Sequence, residues 1–309
     1  MKTPLVSVIV PNYNHALFLE ERIQSILNQT FQDFELILLD DCSPDNGASK
    51  KIFEKYRDNK HITHIVYNEH NSGSTFKQWH KGFNLAQGEL IWIAESDDSC
   101  QSTFLESLIN EFLKNEKCVL AWSFSQMINQ DGNKIGVILK DSSKITRIDG
   151  ASFVRRYMTV RNVVDNASAA LFKKKVAQRL DKEYMSYIGA GDSLFWILLA
   201  REGDVSIIHS PLNFYRRHDK VVTSNKFKDG TNYREEYRTL QYMLDHRFIS
   251  KFRSKLVVWR NRRLVKNTVF VDNKTSTEIK QLWGCNKNFL PELFVRSLNA
   301  LVRWFGLYI

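Results

Sequence analysis

Polar and acidic side chains follow three predicted strands at the point where each strand ends. The residues at these three strand ends are Pro11, Asn12, Tyr13, Asn14, Asp40, Asp41, Glu95, Ser96, Asp97 and Asp98. Ligands of an open α/β sheet bind beyond the carboxyl ends of its strands, so five carboxylates would meet at one edge. This crowding of like charge is unfavourable unless a cation or hydrogen-bond donors compensate it. Mg²⁺ or Mn²⁺, held by few carboxylates and by a phosphate-bearing ligand, would supply that compensation.

The elements that must position these residues alternate between strand-like and helix-like segments. The predicted strands are residues 5–11, 34–40, 62–68, 89–94 and 119–125, and the predicted helices include 17–28, 75–86, 103–114 and 193–201. Ser43 followed by Pro44 predicts a capped helix start, and two short strands are expected at 205–208 and 212–215. Such alternation predicts an α/β fold, a mostly parallel sheet with helices on both faces.

The composition excludes several classes of protein. The chain has 309 residues, of which 43% are hydrophobic and 12% aromatic, enough to form a core rather than a disordered chain. The four cysteines show no metal-binding spacing and predict free thiols in a reducing compartment, so we expect a cytoplasmic location. No run reaches 18 apolar residues, so no membrane span is predicted. Neither a Gly-x-Gly-x-x-Gly run after the first strand nor a P-loop occurs.

The positive charge lies at the C-terminal end. Residues 220–309 contain 18 Lys and Arg against 7 Asp and Glu, which predicts a domain over 1–220 and a basic, mainly helical extension over 221–309. Residues 290–309 carry an apolar helical stripe near Trp304, which predicts peripheral attachment to an anionic membrane. The alternative is a helix packed on the domain. The basic run at 260–263 is a single short cluster, so no nucleic-acid partner is predicted.

Three stretches of the sequence carry a family resemblance. VSVIVPNYN, ILNQTFQDFELILLDDCSPD and NSGSTFKQWHKGFNLAQGELIWIAESDD occur in this order. Over about residues 4–220 the chain resembles the inverting family 2 glycosyltransferases of GT-A fold. The resemblance implies a nucleotide-diphospho-sugar donor, UDP-linked by default, and Mn²⁺ or Mg²⁺ at a DxD-type motif. It also implies transfer to a glycan or lipid-linked glycan in bacterial polysaccharide or lipopolysaccharide assembly.

The resemblance assigns a donor-side role to each matching residue. Pro11, Asn12, Tyr13 and Asn14 resemble the first nucleotide-binding loop, with Tyr13 against the base and Asp41 accepting from its imide or from the ribose. In the DxD-type element Glu95 stands where Asp is common, which leaves Asp97 and Asp98 for the metal and, with Ser96, for the ribose. Lys77 and Lys81 would contact the diphosphate; the alternative is a solvated helix face. The donor-side set is Pro11, Asn12, Tyr13, Asn14, Asp41, Lys77, Lys81, Ser96, Asp97 and Asp98.

On the acceptor side, Gly191 and Asp192 resemble the family's x-Glu-Asp element, which makes Asp192 the catalytic base. An ordinary helix N-cap is the alternative, and the absent Glu at Gly191 would widen the acceptor pocket. His218 resembles the histidine of the family's closing segment, which can reach the metal or diphosphate; an exposed loop histidine is the alternative. The processive Gln-x-x-Arg-Trp motif is absent, which favours addition of one sugar.

Two other functions remain open from the sequence. A catalytically silent sugar-nucleotide-binding relative would explain why Glu95 and Gly191 depart from the pattern. A metal-dependent nucleotidyltransferase shares this fold layout but would need a glycine-rich basic loop after the first strand, which this sequence lacks.

Overall fold

The computed structural model describes residues 3–159, 161–217 and 226–285, and in these ranges the chain is a mixed α/β structure. Its strands are β1 Val6–Asn12, β2 Phe34–Asp40, β3 Ile62–Tyr67, β4 Leu90–Ile93, β5 Ser99–Cys100, β6 Cys118–Ile128, β7 Ile145–Asp149, β8 Ala170–Lys173 and β9 Asp204–Arg216. Its helices are α1 Ala16–Leu27, α2 Ala48–Lys55, α3 Thr75–Leu85, α4 Phe104–Lys114, α5 Gly150–Phe153, α6 Lys174–Ala177, α7 Gly191–Ala200, α8 Thr231–Asp245, α9 Lys251–Asn267 and α10 Asn273–Leu282. The predicted fold class, including the C-terminal helices, is confirmed.

The strands form one sheet in the order β3-β2-β1-β4-β8-β6-β9-β5, with β7 paired to β9. The first four strands in this order are parallel, and all residues of β1 and β2 are buried, as expected for strands covered on both faces. The other half is mixed, because β8 enters antiparallel between β4 and β6. This four-residue strand, absent from the sequence prediction, is too short to show a clear pattern.

Two apolar layers cover the sheet. Alternate residues of β1 point to opposite faces, so Val8 packs with α1, α2 and α4 whereas Ile9 packs with α3 and α7. Buried residues of α8, α9 and α10 belong to the same apolar layer as Ile9. The C-terminal helices therefore share a core with the sheet, and the predicted domain boundary at 220/221 stays a prediction.

Some local predictions fail for identifiable reasons. Helix α2 begins at Ala48, and Asp45 accepts from the Ser49 amide, so Asp45 holds the first turn instead of the predicted Ser43. The two short strands expected at 205–208 and 212–215 form one strand, β9, with irregular register against β6. The amphipathic segment 290–309 lies outside the described residues. None of the helices within the described ranges is long and apolar enough to cross a bilayer.

Candidate active site

A cavity of about 530 Å³ lies beyond the carboxyl ends of β1, β2 and β4. It collects the following residues from the predicted set: Pro11, Asn12, Tyr13, Asp41, Ser96, Asp97 and Asp192. The parallel half of the sheet brings the first six to one edge, and the start of α7 brings Asp192 to the same space. Donor-side and acceptor-side candidates thus line one cavity.

The loop after β1 is held by its own polar side chains. Asn12 donates from Nδ2 to Asp40 Oδ1 at 2.7 Å and to Ser49 Oγ at 2.9 Å. Asn14 has a left-handed backbone and donates its amide to Ser43 Oγ, so it shapes the loop from outside the cavity lining. Tyr13 stays 46% exposed at the cavity wall, where its ring is open to a ligand.

Asp41 organises the neighbouring wall. Its buried carboxylate accepts from Asn68 Nδ2 at 2.6 Å, from the amide and hydroxyl of Ser72, and from Gln78 Nε2 at 2.8 Å. These bonds join the end of β2 to the loop before α3 and to α3 itself. Because this carboxylate accepts four internal hydrogen bonds, it fixes the cavity wall in place.

Three cavity-lining side chains carry buried polar atoms without a hydrogen-bond partner within the described ranges. They are Asn12 Oδ1, Ser74 Oγ and Gln78 Oε1. Such atoms are rare in native proteins, and each needs an explanation. Sequence reasoning missed Ser74 and Gln78, although both lie in the third motif quoted above.

The structure does not bring Asp98, which the resemblance assigns to the metal, into the cavity lining, so its metal role stays a prediction. Asp98 is fully buried and lies outside the cavity lining. Its Oδ2 accepts from Asn166 Nδ2 at 2.8 Å and from Ser168 Oγ at 2.6 Å, while its Oδ1 accepts from the Arg216 amide at 3.0 Å. Both oxygens are therefore engaged inside the protein, and Asp98 supports the motif from beneath.

Glu95 and Asp97 are the acidic residues of this motif that reach the cavity. Trp79 Nε1 donates to Glu95 at 3.0 Å, and burial together with the charges of Asp97 and Asp98 raises the pKa of Glu95 to about 8. His15 Nδ1 lies 4.0 Å from Asp97 Oδ1. No group of three or more His, Cys, Asp or Glu in the described ranges could hold a metal ion.

Arg216, which sequence reasoning missed, holds the acidic loop in place. Its guanidinium is 1% exposed and donates to the Asp97 carbonyl at 2.7 Å and to Glu21 Oε2 at 2.6 Å. A second buried guanidinium, that of Arg22, lies 4.8 Å from the Trp92 ring centroid and lowers the pKa of Asp98. Burial and Asp97 outweigh it and raise that pKa to about 7. Two internal cations thus offset the clustered carboxylates.

Asp192 lies in the first turn of α7, not at its N-cap, which is Ala190. Asn162 Nδ2 donates to Asp192 Oδ2 at 2.7 Å, and burial raises the pKa of Asp192 to about 6. A β-carbon at Gly191 would lie 2.6 Å from the Tyr184 carbonyl oxygen and 2.7 Å from the Phe76 ring. The glycine therefore does not widen the pocket, because Phe76 and the Tyr184 backbone fill that space.

The predicted basic residues lie elsewhere. Lys77 is exposed and donates to the Ser72 carbonyl, while Lys81 donates to Asn68, and neither lines the cavity. The solvated helix face therefore fits Lys77. His218 lies outside the described residues. The cavity lining instead includes Lys226, a residue of the C-terminal extension.

We expect Asp98→Ala to reduce the free energy of unfolding by about 2 kcal/mol or more, since it leaves three buried donors without an acceptor. Asp97→Ala, at a half-buried site, is the matched control and should change stability much less. Urea denaturation measures both. An Asp98→Ala protein as stable as the wild type would show that Asp98 faces a ligand.

The sequence also matches known proteins. The model of glycosyl transferase family 2 matches residues 7–179. The putative teichuronic acid biosynthesis glycosyltransferase TuaG of Bacillus subtilis is 25% identical over 239 residues, which cover 77% of this chain and 89% of that protein. The GalNAc(5)-diNAcBac-PP-undecaprenol beta-1,3-glucosyltransferase of Campylobacter jejuni is 26% identical over 249 residues, 77% of this chain and 74% of that one.

A solved structure shows the same fold. The crystal structure of S. aureus TarS 1-349 in complex with UDP-GlcNAc superimposes with a TM-score of 0.66 and 17% sequence identity. The match covers 90% of this chain and 78% of that one. It therefore extends beyond the residues matched by the family model and includes part of the C-terminal helices.

Proposed function

The chain belongs to glycosyl transferase family 2, and from this premise we propose that it moves one sugar from a nucleotide-diphospho-sugar to an acceptor hydroxyl with inversion. The observation that carries the proposal is the single cavity lined by the loop after β1, by Asp97 and by Asp192. Donor groups and a carboxylate base are thus close enough to act on one reacting centre.

We propose UDP as the nucleotide. Tyr13 offers an exposed ring for stacking on the base, and the oxygens of Gln78 and Asn12 can accept from an imide or a ribose hydroxyl. Because Gln78 Nε2 donates to Asp41, its Oε1 is the atom that remains for a ligand. The similar TarS structure is a complex with UDP-GlcNAc, which supports this choice of nucleotide.

The residues present fit a divalent cation, Mn²⁺ or Mg²⁺, that the donor diphosphate also ligates. Asp97 would hold it, with Glu95 beside it, since Mg²⁺ is usually bound through one or two carboxylates and substrate phosphates. When bound, such a cation offsets the negative charge that develops on the departing diphosphate. His15 and Arg216 keep the Asp97 loop in one position.

Asp192 acts as the general base. Asn162 orients its side chain. Its raised pKa makes the carboxylate a stronger base toward the acceptor hydroxyl. Removal of that proton lets the hydroxyl oxygen attack the anomeric carbon on the face opposite the leaving nucleotide, which inverts the configuration.

Asp192→Asn should lower kcat by about two to four orders of magnitude with donor affinity nearly unchanged. The wild-type rate should fall as the pH decreases through about 6, because the base acts only as the carboxylate. Initial rates from pH 5 to 8 test both statements. Asp245→Asn, at an exposed position, is the matched control. Normal turnover by Asp192→Asn would exclude Asp192 as the base.

Asp97→Asn should weaken binding of Mn²⁺ in the presence of UDP and lower kcat by about 100-fold or more. Calorimetry with Mn²⁺ and UDP measures the first effect without any turnover. Asp58→Asn, another exposed aspartate, controls for the lost charge. Full activity of the wild type in a chelator would contradict the metal assignment.

We propose a glycan or a lipid-linked glycan as the acceptor, in bacterial polysaccharide assembly on the cytoplasmic side of the membrane. Two relatives support this class, since one is named for teichuronic acid biosynthesis and the other for an undecaprenol-linked glycan. The basic balance of residues 220–309 supports peripheral attachment to anionic lipid.

Full-length protein should co-sediment with anionic vesicles at low salt and less at high salt, since each basic residue near such a surface contributes about 1 kcal/mol. A truncation after Asn288 should lose this binding because it removes the apolar stripe predicted over 290–309, and neutral vesicles are the control. Binding that survives the truncation would assign it to another surface, and a truncation that unfolds would indicate a helix packed on the core.

A further inference from the structure

One carboxylate of the C-terminal extension accepts three consecutive backbone amides of the loop before α7. Glu235 in α8 is 8% exposed. Its Oε1 accepts from the Ile188 amide at 2.6 Å, and its Oε2 accepts from the Gly189 amide at 2.9 Å and the Ala190 amide at 2.7 Å. Three backbone N–H groups that converge on one carboxylate form a strong, directional contact.

This contact holds the backbone that leads into α7, from Ile188 to the N-cap residue Ala190. Ala190 occupies the N-cap of α7 and has no side-chain oxygen for the free amides of the first turn. Glu235 supplies a negative charge at that end from a different helix, where the helix dipole favours it. Within the first turn, Asp192 Oδ1 accepts from the Ser193 amide at 2.8 Å, and its Oδ2 is held by Asn162 at the cavity.

Helix α8 holds this loop closely along its length. A β-carbon at Gly189 would lie 2.2 Å from Asn232 Oδ1, so the backbone touches the first turn of α8. Further along α8, Arg238 donates to Glu183 and Ser186, and Tyr242 donates to Asp181. The segment that precedes Asp192 is therefore anchored at several points to one helix.

We infer that Glu235 is a positioning residue, which fixes the loop before α7 so that Asp192 faces the cavity. The inference rests on the proposed function of Asp192 as the base. It makes α8 part of the catalytic unit, because the acceptor side of the cavity is set by a contact from the C-terminal extension. Glu235 itself does not line the cavity and acts through Asp192.

Glu235→Gln keeps the size of the side chain but replaces one acceptor oxygen by a donor that faces a backbone amide. Amide exchange at one or more of Ile188, Gly189 and Ala190 should become about tenfold faster or more, because one acceptor oxygen is lost and the remaining one carries no charge. Turnover should fall about 10- to 100-fold, the range expected when a catalytic group is slightly misplaced, with the donor KM within about twofold. Glu278→Gln, which removes an exposed carboxylate that pairs with Arg234 of α8, should change neither.

A double-mutant cycle separates positioning from general stabilisation. In the Asp192→Asn background the added Glu235→Gln change should alter kcat less than about twofold, because the group being positioned is gone. Equal effects of Glu235→Gln in both backgrounds, or unchanged amide exchange, would overturn the inference. If Glu235→Gln fails to fold, Glu235→Asp, which keeps the charge, carries the same measurements.

Amide exchange requires no substrate, so it distinguishes failure of this inference from failure of the proposed function. A wild-type protein that binds UDP but transfers no sugar would count against the proposed function. Faster exchange confined to the loop before α7 in Glu235→Gln would still support the contact, whereas unchanged exchange would remove it.

Discussion

The rest of the site depends on how the protein tolerates three acidic residues within four positions after β4. Burial alone would favour their protonation, and the raised pKa values of Glu95 and Asp98 show that it does so in part. Internal hydrogen-bond donors stabilise the cluster, because Asn166, Ser168 and the Arg216 amide all donate to Asp98. Because these partners come from the distant mixed half of the sheet, the second half of the fold fixes the acidic loop formed by the first.

The acidic residues that follow β4 differ in their surroundings. Asp98 is enclosed and fixed, whereas Asp97 and Glu95 keep contact with the cavity. A cation bound through one or two carboxylates retains room for diphosphate oxygens, so its affinity depends on the donor.

Local signals in the sequence predicted the parallel strands, the helices between them and the loops at their ends, since hydrophobic periodicity is a short-range property. They did not predict which of two adjacent aspartates faces inward, because Asp97 and Asp98 differ only in partners more than 60 residues away. Local signals also did not predict the short strand β8 or the contacts of Arg216. The sequence predicts a wider pocket at Gly191, whereas the Phe76 ring and the Tyr184 backbone fill that space.

The two sides of the cavity are built from different parts of the chain. The donor side is made of loops that follow β1, β2 and β4 and are joined by short contacts such as that between Asn12 and Asp40. The proposed acceptor side reaches the cavity through α7, whose start is held by Glu235, and Lys226 of the extension also lines the cavity. Substitutions in the extension can therefore change how an acceptor is held while the nucleotide loops keep their geometry.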